Sequence, residues 1–184
     1  MKRGGQLKKG INTASLARIA LGSAIITVTS WICVPSAVPF TLQTFSVALC
    51  GITAGYKRGV LALSVYLALG AAGLPVFAGF QAGFGVLLGV TGGFLWGFLP
   101  LVLLCGMPCG HKWVQASLGL LGIVCCHLLG AVQFSLVTKT GFAQAVLVCS
   151  APYILKDILS LFAALAVSVP LLKAFSKIGY QDRG

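Results

Sequence analysis

Apolar positions along the chain fall into long runs, interrupted by short clusters of charge, proline or glycine. A helix rises about 1.5 Å per residue and a bilayer core is about 30 Å thick, so about 20 apolar residues make one crossing. The runs predict six helices, over about 13–33, 41–56, 59–73, 91–109, 114–137 and 152–173. The second and third are short, about 15 residues and so about 23 Å, as expected of helices that stop early where a loop dips in from one side. Pro35 and Pro39 close the first run, and Lys57-Arg58 reads as the tight turn between the second and third.

Between the third and fourth runs the pattern changes. Gly70 to Gly97, GAAGLPVFAGFQAGFGVLLGVTGGFLWG, holds nine of the 24 glycines in 28 residues without one charged side chain. Glycine costs a helix interior about 1 kcal/mol relative to alanine, and Leu74-Pro75 and Gly79 add breakers, so the backbone between about Gly73 and Val90 is expected to be irregular. Irregular backbone at membrane depth is tolerated only where its polar groups are buried in protein or face a cavity. Holding a ligand is the natural use of such groups.

Composition narrows the class. With 58% hydrophobic and 8% charged residues and a mean hydropathy of +1.02, the chain cannot cover a soluble globule with a wet surface. The expectation is an all-α integral membrane protein, one six-helix domain over 1–184 with an irregular glycine-rich loop between helices 3 and 4. A short basic cytoplasmic segment, 1–12, precedes it. That segment, MKRGGQLKKG at its start, is kept in the mature chain because Arg18 interrupts the apolar run and no A-x-A cleavage pattern follows.

The formal net charge of +11 would suggest nucleic acid in a soluble protein. Here the basic residues sit singly or in pairs between apolar runs, so they read as topology signals and partners of membrane lipids, not of nucleic acid. Lys2, Arg3, Lys8, Lys9, Lys57, Arg58, Lys112, Lys173, Lys177 and Arg183 share the side of the termini, and Lys139 falls opposite. The positive-inside bias then makes both termini cytoplasmic and turns the Gly73–Val90 loop outward.

Seven cysteines, an odd number mostly inside apolar runs, argue against a disulfide framework and read as buried thiols. Cys105, Cys109 and His111 have no zinc-site spacing, so no metal and no cofactor are expected. His127, in an apolar run, reads as a neutral imidazole bonded to a neighbouring helix. No phosphate-binding loop is present, and no cysteine has a base at a defensible spacing, so the chain is expected not to be an enzyme.

Candidate ligand contacts gather at the outward ends. Thr41 and Gln43 open the second helix, and Gln43 offers both a donor and an acceptor. In the last helix Tyr153, Asp157 and Ser160 are spaced to share a face. Asp157 is the only acidic residue that a span could contain, and a carboxylate there costs about 3 kcal/mol unless paired or wet. Lys156 lies about 100° round the helix, so Asp157 is read as facing a ligand with adjacent N–H groups. Thr91 is expected to cap the fourth helix, with N–H groups near Gly92 and Gly93 open to an anion. Phe77, Phe80 and Phe84 could form walls, with Gln81 a polar contact.

Three ordered stretches, V-P-F-T-L-Q-T-F at 38–45, G-A-A-G-L-P-V-F-A-G at 70–79 and T-G-G-F-L-W-G-F at 91–98, together resemble the BioY family, the biotin-specific S components of energy-coupling factor (ECF) transporters. The resemblance covers essentially the whole chain. It implies a six-helix protein that captures biotin from outside and delivers it with a transmembrane coupling protein and two cytoplasmic ATPase subunits. It would set the ureido N–H groups of biotin against Asp157, its carbonyl against Ser160 or Gln43, its bicycle against Phe77 and Tyr153, and its carboxylate against the helix start. Ala20 and Ala24, in a stretch of small residues in the first helix, resemble the surface that meets the coupling protein.

Two positions depart from the family pattern. Ser160 stands where a lysine usually follows the acidic residue by three, and Val90 replaces the proline of G-P-T-G-G. Lys156 is the candidate to supply the missing charge. The alternatives are a self-sufficient proton-coupled carrier using Asp157 and His127, and a membrane-embedded enzyme.

Overall fold

The computed structural model describes residues 13–35 and 38–177. The expected N-terminal segment 1–12 and Arg183 lie outside the described residues. Helices α1 (Thr13–Trp31), α2 (Gln43–Ala71), α3 (Phe84–Leu88), α4 (Gly92–Cys105), α5 (Lys112–Thr138), α6 (Phe142–Cys149) and α7 (Ala151–Lys177) carry the chain. A two-residue ribbon pairs β1 (Cys33–Val34) with β2 (Phe40–Thr41), antiparallel, in the connection after α1. Thr13–Trp31, Lys112–Thr138 and Ala151–Ser176 are long and apolar enough to cross a bilayer, and Gly92–Cys105 is a shorter apolar helix. Leucines along the outer faces, such as Leu121, Leu136 and Leu155, are exposed, and in lipid such exposure carries no hydrophobic penalty. The protein is an all-α membrane protein.

α2 is not one rod. Gly55 interrupts it with φ 79° and ψ 163°. Gln43 Nε2 donates to Tyr66 Oη at 2.7 Å, whereas an unbroken helix would hold these residues about 35 Å apart. The halves 43–54 and 56–71 therefore run antiparallel. The turn expected at Lys57-Arg58 pivots instead on Gly55, because reversing the chain at one residue needs a positive φ that glycine supplies cheaply. Lys57 and Arg58 sit in the first turn of the second half.

Two ends of the molecule follow from this hairpin. At the Gly55 end, Arg58 Nε donates to Ser15 Oγ near the start of α1 (3.1 Å), and Tyr56 N donates to Gly106 O just past α4 (3.0 Å). At the opposite end lies the segment from Ala72 to Thr91. It is less irregular than the glycine content suggests: a 3-10 turn spans Ala78–Phe80 and α3 spans Phe84–Leu88. Side chains of the long helices tie it down. Ser30 Oγ donates to Val76 O (2.5 Å) and Trp31 Nε1 to Pro75 O (2.9 Å). Gln133 Nε2 of α5 donates to both Leu87 O (2.9 Å) and Gly89 O (2.7 Å). α6 is an additional helix in the connection expected between the fifth and last helices.

The core runs down the middle of the bundle through Ile26, Val47, Leu63, Tyr66, Leu101, Val102 and Leu161, all buried. α4 reaches α5 closely because Gly97 has no side chain: a Cβ there would lie 2.6 Å from Cys126 Cα. Phe77 leaves the 72–91 segment to enter the core, where its ring covers Gly70 and meets Tyr66 edge-on at 5.5 Å.

Candidate ligand-binding site

A cavity opens beneath the 72–91 segment and is partly continuous with solvent. Five stretches converge on it. The β-ribbon and the start of α2 supply Thr41, Gln43 and Thr44, the 72–91 segment supplies Phe77, Gln81 and Thr91, α4 supplies Phe94 and Phe98, α5 supplies Cys126, and α7 supplies Tyr153, Lys156 and Asp157.

Most of this lining is apolar, and the polar groups are already oriented. Gln43, buried, accepts at Oε1 from Thr41 Oγ1 (3.0 Å) while its amide nitrogen is bonded to Tyr66. Tyr153 meets the Phe40 ring at 6.1 Å between centroids. Lys156 Nζ donates to Thr41 O (3.0 Å) and stands 5.1 Å from the centre of the Phe40 ring, a cation–π contact.

The electrostatic centre is Asp157. Lys156 Nζ lies 2.5 Å from its Oδ1 and His127 Nε2 lies 3.1 Å from its Oδ2. The pair with Lys156 corrects the sequence argument that a neighbour 100° round the helix could not serve. A lysine side chain is long and flexible enough to bend back across its own helix face. Lys156 Nζ, His127 Nε2 and the Thr44 hydroxyl surround the carboxylate, whose several lone-pair sites keep acceptor capacity for a ligand. An acceptor and an ammonium side by side in an apolar wall suit a neutral ligand group that both donates and accepts.

Of the expected contacts, Asp157, Lys156, Tyr153, Gln43, Phe77, Gln81 and Thr91 are brought together around the cavity. Ser160 is not. It lies in a separate apolar groove with Phe45, Leu159 and Ala163, one turn further along α7 and on the flank of Lys156. Gly92 and Gly93 also stand apart. A Cβ on Gly92 would collide with Leu87 O, and one on Gly93 with Leu129 O, so their bareness serves close packing. Thr91 occupies the N-cap position without a side-chain cap bond, and Gly92 N already donates to Gly89 O (3.1 Å). The helix start thus offers less open N–H than expected.

Phe80 and Phe84, expected as walls, are exposed, Phe80 stacking on Trp31 at 5.1 Å. The walls are instead Phe94 and Phe98 on α4. Their spacing of four was a legible sign of a shared face, hidden because all of α4 is apolar. Ala20 and Ala24 are exposed on α1, beside exposed Leu16 and Leu21.

Comparison with known proteins gives a consistent result. The BioY family model matches residues 3–177. The biotin transporter BioY of Thermotoga maritima is 36% identical over 163 residues, covering 86% of this chain and 95% of that one. BioY2 of Lactococcus lactis, also a biotin transporter, is 32% identical over 167 residues, covering 88% and 92%. Among solved structures, the S component for biotin from an ECF-type ABC transporter superposes with a TM-score of 0.74 at 22% identity, covering 88% of this chain and 94% of that chain. At that identity the likeness speaks for the fold.

Proposed function

The chain belongs to the BioY family, and on that premise we propose that it is the substrate-binding membrane subunit that captures biotin from outside for an ATP-driven transporter of the ECF type. The observation that carries this reading is the Asp157–Lys156 pair in the wall of an otherwise apolar cavity. A cyclic urea matches it. One ureido N–H meets a carboxylate acceptor of Asp157, and the ureido oxygen on the same edge of the ring meets the Lys156 ammonium, each a charge-assisted bond. Lys156 takes the part first considered for Ser160. Phe77, Phe94, Phe98 and Tyr153 suit the apolar bicycle, and Thr91 and Gln81 offer polar groups to the carboxylate tail.

The architecture in this reading is six crossings, with the two halves of α2 as the short second and third. Lys57, Arg58 and Lys112 lie towards the Gly55 end, and the positive-inside bias supports a cytoplasmic side for that end and an outward cavity. The chain has no phosphate-binding loop of its own, so in this reading the ATP-driven step belongs to two ATPase subunits acting through a transmembrane coupling protein, with Ala20 and Ala24 on the contacting face.

Titration calorimetry of the purified protein with biotin tests the reading. Saturable binding of one biotin per chain is expected, with much weaker binding of an analogue whose ureido group is replaced by a thioether or methylene bridge. Equal binding of both would overturn it. The His127–Asp157 contact is the one observation that favours the proton-coupled carrier. Uptake that survives ATP depletion and collapses with the proton gradient would select that reading.

A further inference from the structure

Asp157 has a second neighbour that does not line the cavity. His127 of α5 places Nε2 at 3.1 Å from Asp157 Oδ2, and the two side chains are 9% and 10% exposed. The histidine is held at two places, its ring and its backbone carbonyl. Phe94 of α4 meets it edge-on, at 5.8 Å and 86°, and Ser150 Oγ, at the junction of α6 and α7, donates to the His127 carbonyl at 3.5 Å. Nδ1 is buried and has no hydrogen-bond partner. The only polar side chain within reach of the ring among the contacts described is therefore the carboxylate.

Rotation about the terminal bond of an aspartate is soft, with a broad two-fold profile. A carboxylate with one cationic neighbour swings until both oxygens serve it. Here that would turn Asp157 onto Lys156, drawing both charged groups away from the cavity. A second partner on the other oxygen prevents the swing. Lys156 approaches Oδ1 and His127 approaches Oδ2, from different helices, and the Thr44 hydroxyl of α2 also lies against the carboxylate, so its plane is held between α2, α5 and α7.

We propose that His127 is a positioning residue for ligand recognition: without touching the ligand, it sets the plane of the Asp157 carboxylate so that a free lone pair faces the cavity as the acceptor for a ligand N–H group. This deepens the reading above and rests on Asp157 accepting hydrogen bonds from the ligand. A histidine that merely fills space would act on stability alone, and one that acts through Asp157 has no effect on affinity once the carboxylate is gone.

Biotin binding by the purified full-length chain separates these cases, using His127→Leu, His127→Gln, Asp157→Asn and the double variant His127→Leu/Asp157→Asn. A carboxylate free to turn away from the cavity loses its ligand hydrogen bond, so affinity should weaken about tenfold or more in His127→Leu. His127→Gln, whose amide N–H can occupy the place of Nε2, should recover most of it. In the Asp157→Asn background the leucine should cost nothing further. Full affinity in a folded His127→Leu, an equal additional loss in the double variant, or a glutamine no better than leucine would each overturn the proposal. Should the leucine variant not fold, His127→Gln against the shorter His127→Asn carries the same test, and equal affinities would overturn it. Full affinity in Asp157→Asn alone would instead remove the ligand reading, and this one with it.

Discussion

Gln43 and Tyr66, at opposite ends of a single assigned helix, are joined by a 2.7 Å hydrogen bond from amide to phenol. The bond closes a hairpin whose apex is Gly55, and it fixes Gln43 in the cavity wall while the phenol stays buried. Everything at the cavity end depends on this reversal, since it brings the start of α2 beside the 72–91 segment.

The reversal is sharply testable at its apex. Gly55 has φ 79° and ψ 163°, a region essentially reserved for glycine, where a side chain costs about 1–3 kcal/mol. Nothing lies within 4 Å of a Cβ placed there, so the cost in Gly55→Ala is backbone strain alone. A lowered unfolding midpoint is expected, with Gly110→Ala, also unobstructed and without a positive φ, near wild type. Equal midpoints would mean that the chain does not turn at Gly55.

The sequence made some of this legible and hid the rest for physical reasons. The apolar runs marked both halves of α2, because hydropathy registers what lipid touches. Charge drew the turn to Lys57-Arg58, whereas the reversal is set by a dihedral that only Gly55 can adopt. Asp157 stood out by the cost of an intramembrane carboxylate. Its partners did not, because helical angle describes where Cβ points and not how far a lysine reaches, and because the contact with His127 joins two helices 30 positions apart. Glycine reads alike whether it exposes an N–H or lets a helix approach. Gly92 and Gly93 are of the second kind.

Orientation gives the next prediction. Ala82 is exposed on the 72–91 segment, at the end opposite Lys57 and Arg58. A cysteine placed there should react in intact cells with a membrane-impermeant maleimide, above the background of the parent chain, whose cysteines are buried or half-buried. Labelling only after permeabilisation would invert the topology.

Ala20 and Ala24 lie four apart on the exposed side of α1, beside exposed Leu16 and Leu21 and away from the cavity. Replacing either by tryptophan should leave biotin affinity unchanged and depress ATP-dependent uptake severalfold in the assembled transporter, because a small-residue face admits close helix contact. Parallel loss of binding and uptake would place that face inside the subunit's own fold.

The ion pair supplies the prediction that separates structure from function. A buried charge pair is weak evidence for stability, since replacing both partners by apolar groups of similar size is often neutral or stabilising, while removing one partner strands the other. Lys156 and Asp157 are each largely buried and face an apolar cavity. If they serve only the fold, Lys156→Met/Asp157→Leu should be as stable as wild type and bind biotin as well. If they recognise the ureido group, the double variant should again fold, with its unfolding midpoint equal or raised, but lose affinity by a hundredfold or more. That figure follows from two charge-assisted bonds of roughly 1.5–3 kcal/mol each at about 1.4 kcal/mol per decade. Ser160→Ala is the companion measurement. Ser160 lies in the separate groove, so its removal should leave affinity within about twofold. A loss of more than tenfold there would return the ureido oxygen to Ser160 and take Lys156 out of the site.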